Sequence, residues 1–208
     1  PLTARSASLG ASMTSGLAGM NGLEAIFANP AGLALNTGTA AIFSRMNYVA
    51  DIGVSYFGIG QNFGNNNIAF TVSTWDFGDI PLQTESAPEI SSVTYGATFM
   101  TAGLTYARVF TDRISAGTTL KVVSESIDDV NASAIAFDAG MTYVVGESGL
   151  RLGVALKNIG TKLQYGGVGL TRQVQLPDQT SSATNNAVQL ESEGVALPSP
   201  LNVGVSYS

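Results

Sequence analysis

Residues 133–145 read SAIAFDAGMTYVV, and their alternation decides the fold. One face carries Ile135, Phe137, Ala139, Met141, Tyr143 and Val145; the other carries Ala134, Ala136, Asp138, Gly140 and Thr142. Apolar side chains at every second position mark a strand with two unlike faces. The stretch is longer than the roughly five or six residues of an average globular strand, and long enough for the roughly nine to eleven that a tilted membrane strand needs.

The pattern spreads in both directions. In 113–125, Ile114, Ala116, Leu120 and Val122 oppose Arg113, Ser115, Thr119, Lys121 and Glu125. In 150–159, Leu150, Leu152, Val154 and Leu156 oppose Arg151, Gly153, Ala155 and Lys157. In 201–208, Leu201, Val203, Val205 and Tyr207 oppose Asn202, Gly204, Ser206 and Ser208. With 39–48, 52–61, 67–77 and 98–109 these make about eight strand candidates, long for a globular sheet. A soluble sandwich also alternates, with its apolar face turned inward. Strand length, glycine on the polar face, and Tyr48, Trp75, Phe77 and Phe110 near strand ends point instead to a barrel whose apolar face meets lipid. The connections agree: 62–66, 110–112 and 146–149 are short, whereas 78–97, 126–132 and 160–200 are longer, so short turns and long loops fall on opposite rims. The short link 49–51 departs from that rule.

Composition narrows the function classes. Only 12% of the 208 residues are charged, 24 are glycine, and mean hydropathy is +0.23 with no long apolar run. Soluble proteins carry about 25% charged residues. A net charge of −6 without a Lys/Arg cluster argues against nucleic-acid binding. Without Cys or His the chain has no thiol or Ser-His chemistry and no ordinary zinc ligands. No general acid–base pair, nucleophile or phosphate cradle emerges, so neither enzyme activity nor a cofactor is expected. Gly58 and Gly60 read as strand glycines, because no helix follows them. The pairs Asp76/Asp79 and Asp128/Asp129 lack the spacing of a calcium loop and read as solvated rim charges. Residues 1–10 lack a basic head with an apolar core, so the chain reads as a mature product. The uncharged run 6–23 and the stretch 26–44 are too polar to span as helices.

One part breaks the alternation: residues 21–35, NGLEAIFANPAGLAL. Asn21 and Glu24 have capping-box spacing, and Leu23, Ile26 and Phe27 would share one apolar face. Asn29 is placed to cap a second turn with Pro30 at its first position, and Gly32 to close it with φ > 0. A short helical plug is expected, preceded by a small-residue stretch, 5–20, able to pack closely in a crowded interior. The inward-facing charges supply the remaining candidate site. Asp138 should fall opposite Lys157 with Lys121 a diagonal step away, and Arg113, Arg151 and Arg45 nearby. Such a cluster could mark a ligand or ion path, or pair across strands and tether the plug.

In order along the chain, FANPAGLAL (27–35), WDFGDIPL (75–82), LTYARVFTDRISAGTTLKVV (104–123), FDAGMTYVV (137–145), LRLGVALKNIG (150–160) and PLNVGVSYS (200–208) resemble landmarks of PorV/PorQ-type proteins, within the FadL-like group of outer-membrane barrels. The resemblance covers nearly the whole chain. It implies an antiparallel transmembrane β-barrel of about fourteen strands in the bacterial outer membrane. An N-terminal hatch (1–37) would lodge in the lumen of a barrel (38–208), with Asn29, Pro30 and Ala31 as its Asn-Pro-Ala element. An eight-stranded barrel has no room for a hatch, so the barrel portion is expected to be incomplete at its C-terminus. The resemblance further implies type 9 protein secretion and surface attachment, with outer loops as the partner surface. The rival expectations are a transporter of hydrophobic small molecules such as fatty acids, and a structural barrel in a surface assembly.

Overall fold

The alternating stretches fold as strands in a computed structural model that describes residues 3, 6, 8, 13–16, 22–49, 52–81, 94–174 and 186–207. They are β1 (Thr39–Asn47), β2 (Gly53–Phe63), β3 (Asn66–Pro81), β4 (Thr94–Thr111), β5 (Ile114–Ile127), β6 (Val130–Val145), β7 (Leu150–Gly160), β8 (Gln164–Gly166), β9 (Thr171–Val174), β10 (Asn186–Gln189) and β11 (Leu201–Tyr207). The protein is all-β. Seven consecutive antiparallel strands and β11 form one sheet in the order β1-β2-β3-β4-β5-β6-β7-β11, and β8 adds beside the far end of β6. The sheet does not close: β1 and β11 are its ends, unpaired with each other among the described residues. The small β9–β10 hairpin stands apart from it.

All eight expected strands form, several of them longer than alternation indicated. The expected loop over 126–132 is absent. Strands β5 and β6 run on until Ile127 pairs with Val130, leaving a two-residue turn at Asp128 and Asp129. Asp128 takes φ 49°, which a tight hairpin needs and Asp tolerates. Part of the 78–97 link lies in β3 and β4, and residues 82–93 and 175–185 of the two long links lie outside the described residues.

The faces are assigned opposite to those of a soluble sheet. Residues 22–36 pack on one face, here the inner face, which is built from Gly58, Ala69, Thr105, Ala107, Ser115, Thr119, Ala136 and Asp138. On the outer face Phe137 is 43% exposed, Met141 46% and Leu152 38%, with no second sheet over them among the described residues. The apolar side is thus the open side. Trp75 and Phe77 break the expectation for strand-end aromatics, because both share the inner phase of β3: Trp75 packs toward Val54 and Tyr56, and Phe77 against Phe99. Tyr48 and Phe110 are exposed. No described helix is long and apolar enough to cross a membrane.

Candidate functional site: the seat of the N-terminal segment

Residues 22–35 form two 3₁₀ turns, Gly22–Glu24 and Pro30–Leu35. The Asn21 half of the proposed capping box lies outside the described residues. The second cap is as expected: Asn29 is extended, its Oδ1 accepts from Ala31 N at 2.9 Å, and Pro30 opens the turn. A 3₁₀ helix is slimmer than an α-helix, which suits a segment wedged against strands.

Gly32 plays a different part from the one expected. Its φ is not positive; instead a Cβ there would collide with the Ala25 side chain, so the absence of a side chain lets the two turns touch. The shared apolar face of Leu23, Ile26 and Phe27 is also divided. Leu23 and Ile26 join Leu33, Ala34, Ala69 and Ala107 in the core, whereas Phe27 faces away, its ring 4.3 Å from the Lys157 ammonium.

The segment is held by polar bonds at both ends. Asn29, 1% exposed, donates from Nδ2 to the carbonyls of Thr14 (2.8 Å) and Met141 (3.2 Å), with Val154 O at 3.4 Å. Tyr56 Oη donates to Leu23 O at 2.7 Å, and Asn67 Nδ2 to Ala34 O at 3.1 Å. Its approach to the wall is possible only because the wall lacks side chains there. Gly117 and Gly140 are register partners on β5 and β6. A Cβ on Gly117 would lie 2.5 Å from Pro30 O, and one on Gly140 would overlap Asn29 Oδ1. Within the small-residue stretch, Met13 and Ser15 are buried and Ser206 Oγ donates to Gly16 O at 3.1 Å; its remaining residues, apart from Ser6, Ser8, Thr14 and Gly16, lie outside the described set.

Beside this seat the charges meet, in an arrangement that differs from simple pairing. Lys121 Nζ and Asp138 Oδ2 form a buried ion pair at 2.7 Å. Asp138 does face Lys157, but through a β-bulge: Phe137 pairs with Ile159 and Ala139 with Leu156, so Lys157 and Asn158 together oppose Asp138. Asn158, at φ 57°, takes the partnership expected of Lys157. Its backbone N donates to Asp138 Oδ1 at 2.7 Å, and its Oδ1 accepts from Lys121 Nζ at 2.6 Å. Lys157 instead donates to the carbonyl of Phe27. Arg113 and Arg151 are not brought in. Arg113 sits exposed in the β4–β5 turn and Arg151 pairs with Val144 near the short-turn end, roughly 20 Å or more along the strands from the cluster. Arg45 shares its phase with exposed Phe43 and lies on the outer face.

Alternation predicts neither Asn158 nor the bulge, since strict alternation turns residue 158 outward. The one signal available was an Asn, tolerant of positive φ, inside a strand.

A cavity of about 850 Å³ opens beside the cluster, walled by strands from β2 round to β11 as well as by Ile26 and Phe27. Strands β2 to β7 and β11 thus contribute to one cavity beside the N-terminal segment. Thr71, Thr119, Lys121, Asp138, Lys157 and Asn158 give the cavity a polar floor, and Ile26, Trp75, Val123 and Leu197 give it apolar walls. Near its rim, Tyr165 donates to Glu125, and that bond, then burial, then the carboxylate's charge push the Tyr165 hydroxyl from 10.0 up to about 12. The raised value means that neutral Tyr165 favours the fold fully below pH 10.0 and that this contribution fades as pH rises through about 12. Glu125→Gln should therefore bring tyrosinate formation at position 165 back toward 10.0, read from ultraviolet absorbance against a Tyr165→Phe reference.

Among the described residues no group of three or more acidic, His or Cys side chains could hold a metal ion. No protein-family model matches the chain, and no curated protein matches it.

Proposed function

We propose that the chain is an outer-membrane β-barrel protein whose N-terminal segment is a hatch in the lumen, and that it serves type 9 protein secretion and surface attachment. The membrane part of this reading is carried by one observation. The long strands leave their Leu, Ile, Phe and Met side chains uncovered on one face and turn Gly, Thr, Lys and Asp toward a packed internal segment. Soluble monomers rarely sustain apolar patches beyond a few hundred Å². An unpaired strand edge is equally untenable in hydrocarbon, so the reading has β1 and β11 joined through further strands, as in the barrel of about fourteen that the resemblance implies. The secretion role is supported by the six PorV/PorQ-like landmarks in order, and rim segments over 160–200 and 78–97 would then meet the partners.

The cavity favours a second reading, transport of a hydrophobic small molecule with a polar end: it combines an apolar wall with two lysines and the carboxylates of Glu125 and Asp138. Purification from membranes with identification of what co-purifies separates the two. Secretion components attached to the protein are the expected result. A bound lipid or fatty acid with no protein partner would overturn it in favour of transport.

A further inference from the structure

Before β11 the chain crosses the cavity mouth at residues 197–200, and Leu197, Pro198 and Pro200 line the cavity. This strap is tied to the bulge by Asn158 Nδ2 to Pro198 O (2.6 Å), Ser199 Oγ to Asn158 O (2.9 Å) and Lys157 N to Pro200 O (3.2 Å). The next side chain in sequence, Lys157, holds the Phe27 carbonyl of the N-terminal segment and lies over its ring. Two adjacent residues thus grip the strap and the plug. We propose that the bulge at Lys157 and Asn158 is a two-position coupler: with the strap seated it holds the plug, and with the strap withdrawn it lets the plug go.

The second position follows from the register. Without the bulge Asp138 pairs directly with Lys157, and regular alternation turns Asn158 outward. Lys157 then exchanges the neutral Phe27 carbonyl for the Asp138 carboxylate, a stronger acceptor. The change shifts Ile159, Gly160 and Thr161, which now bonds Ile135, by one residue against β6, and the irregular residues before β8 take up the difference. The strap stabilises the bulged position, since all three of its bonds go to the bulge residues. Displacing the strap at the rim therefore releases the plug without touching it. The inference rests on contacts within the chain and is independent of the assignment to a membrane.

The chain has no cysteine, so a thiol introduced by Ala28→Cys, at a buried plug residue on the cavity, reports plug release by its labelling rate in the purified full-length protein. Ala34→Cys serves if that variant does not fold, and Val54→Cys, buried among Met46, Ile52 and Trp75 away from both plug and strap, is the control. Ser199→Ala should speed labelling at position 28 by about three- to tenfold. Asn158→Val, whose β-branch resists positive φ, should speed it by about tenfold or more. In a Lys157→Met background both increments should vanish, and position 54 should not change in any variant. Unchanged labelling at 28, full increments that persist without Lys157, or equal acceleration at 54 would each overturn the coupler.

Discussion

Lys121→Met should destabilise the protein by about 3–5 kcal/mol, because with Lys157 held on the Phe27 carbonyl the buried Asp138 carboxylate keeps, among the described residues, only the Asn158 N–H as a hydrogen-bond donor. Adding Asp138→Asn should recover at least half of that loss. The neutral amide keeps an oxygen for the Asn158 N–H and no longer buries an uncompensated charge. Denaturant unfolding in detergent measures both. Equal loss in the single and double variants would mean that the lysine acts through its packing rather than through its charge. The test is independent of what the protein binds, since the pair lies inside the fold.

Gly140→Ala should cost about 3 kcal/mol or more, an overpacking penalty raised by the rigid polar neighbour: the new methyl overlaps Asn29 Oδ1, and Asn29 cannot retreat without losing its bonds to Thr14 and Met141. Asn29→Ala alone should cost about 1–3 kcal/mol, from the lost cap and the wall carbonyls left unanswered. Combined, the two should cost clearly less than their sum, because the shortened side chain makes room for the methyl. Gly96→Ala, where an added Cβ meets nothing, should stay within about 0.5 kcal/mol. Strict additivity would show that the N-terminal segment does not press on this wall.

These outcomes also mark what the sequence could reveal. Strand identity was legible because each strand has two unlike faces, and alternation reports that directly: Ile135, Phe137 and Met141 turn out, and Ala134, Ala136 and Asp138 turn in. The Asn29-Pro30 cap was legible because it is local chemistry. Alternation lost its hold at the β6–β7 bulge, where one extra residue resets the phase, so Lys157 was matched to the carboxylate that Asn158 holds. It also gives the side a residue faces but says little about its height, so Arg113 and Arg151 were grouped with charges far along the strands. Asp128 and Asp129 read as part of a loop, since polar composition cannot separate a loop from a tight turn between longer strands. Gly32, Gly117 and Gly140 serve close approach rather than unusual backbone angles, and only the packed fold shows what approaches them.

Contact of the outer face with acyl chains can be read directly on β6. Single cysteines placed in turn from 134 to 141 on β6, each carrying a thiol-attached fluorophore in protein reconstituted into vesicles, can be probed with a quencher confined to the bilayer core. Strong quenching at 135, 137, 139 and 141 with little at 134, 136, 138 and 140 is the predicted result. Uniformly weak quenching, or the opposite alternation, would contradict it.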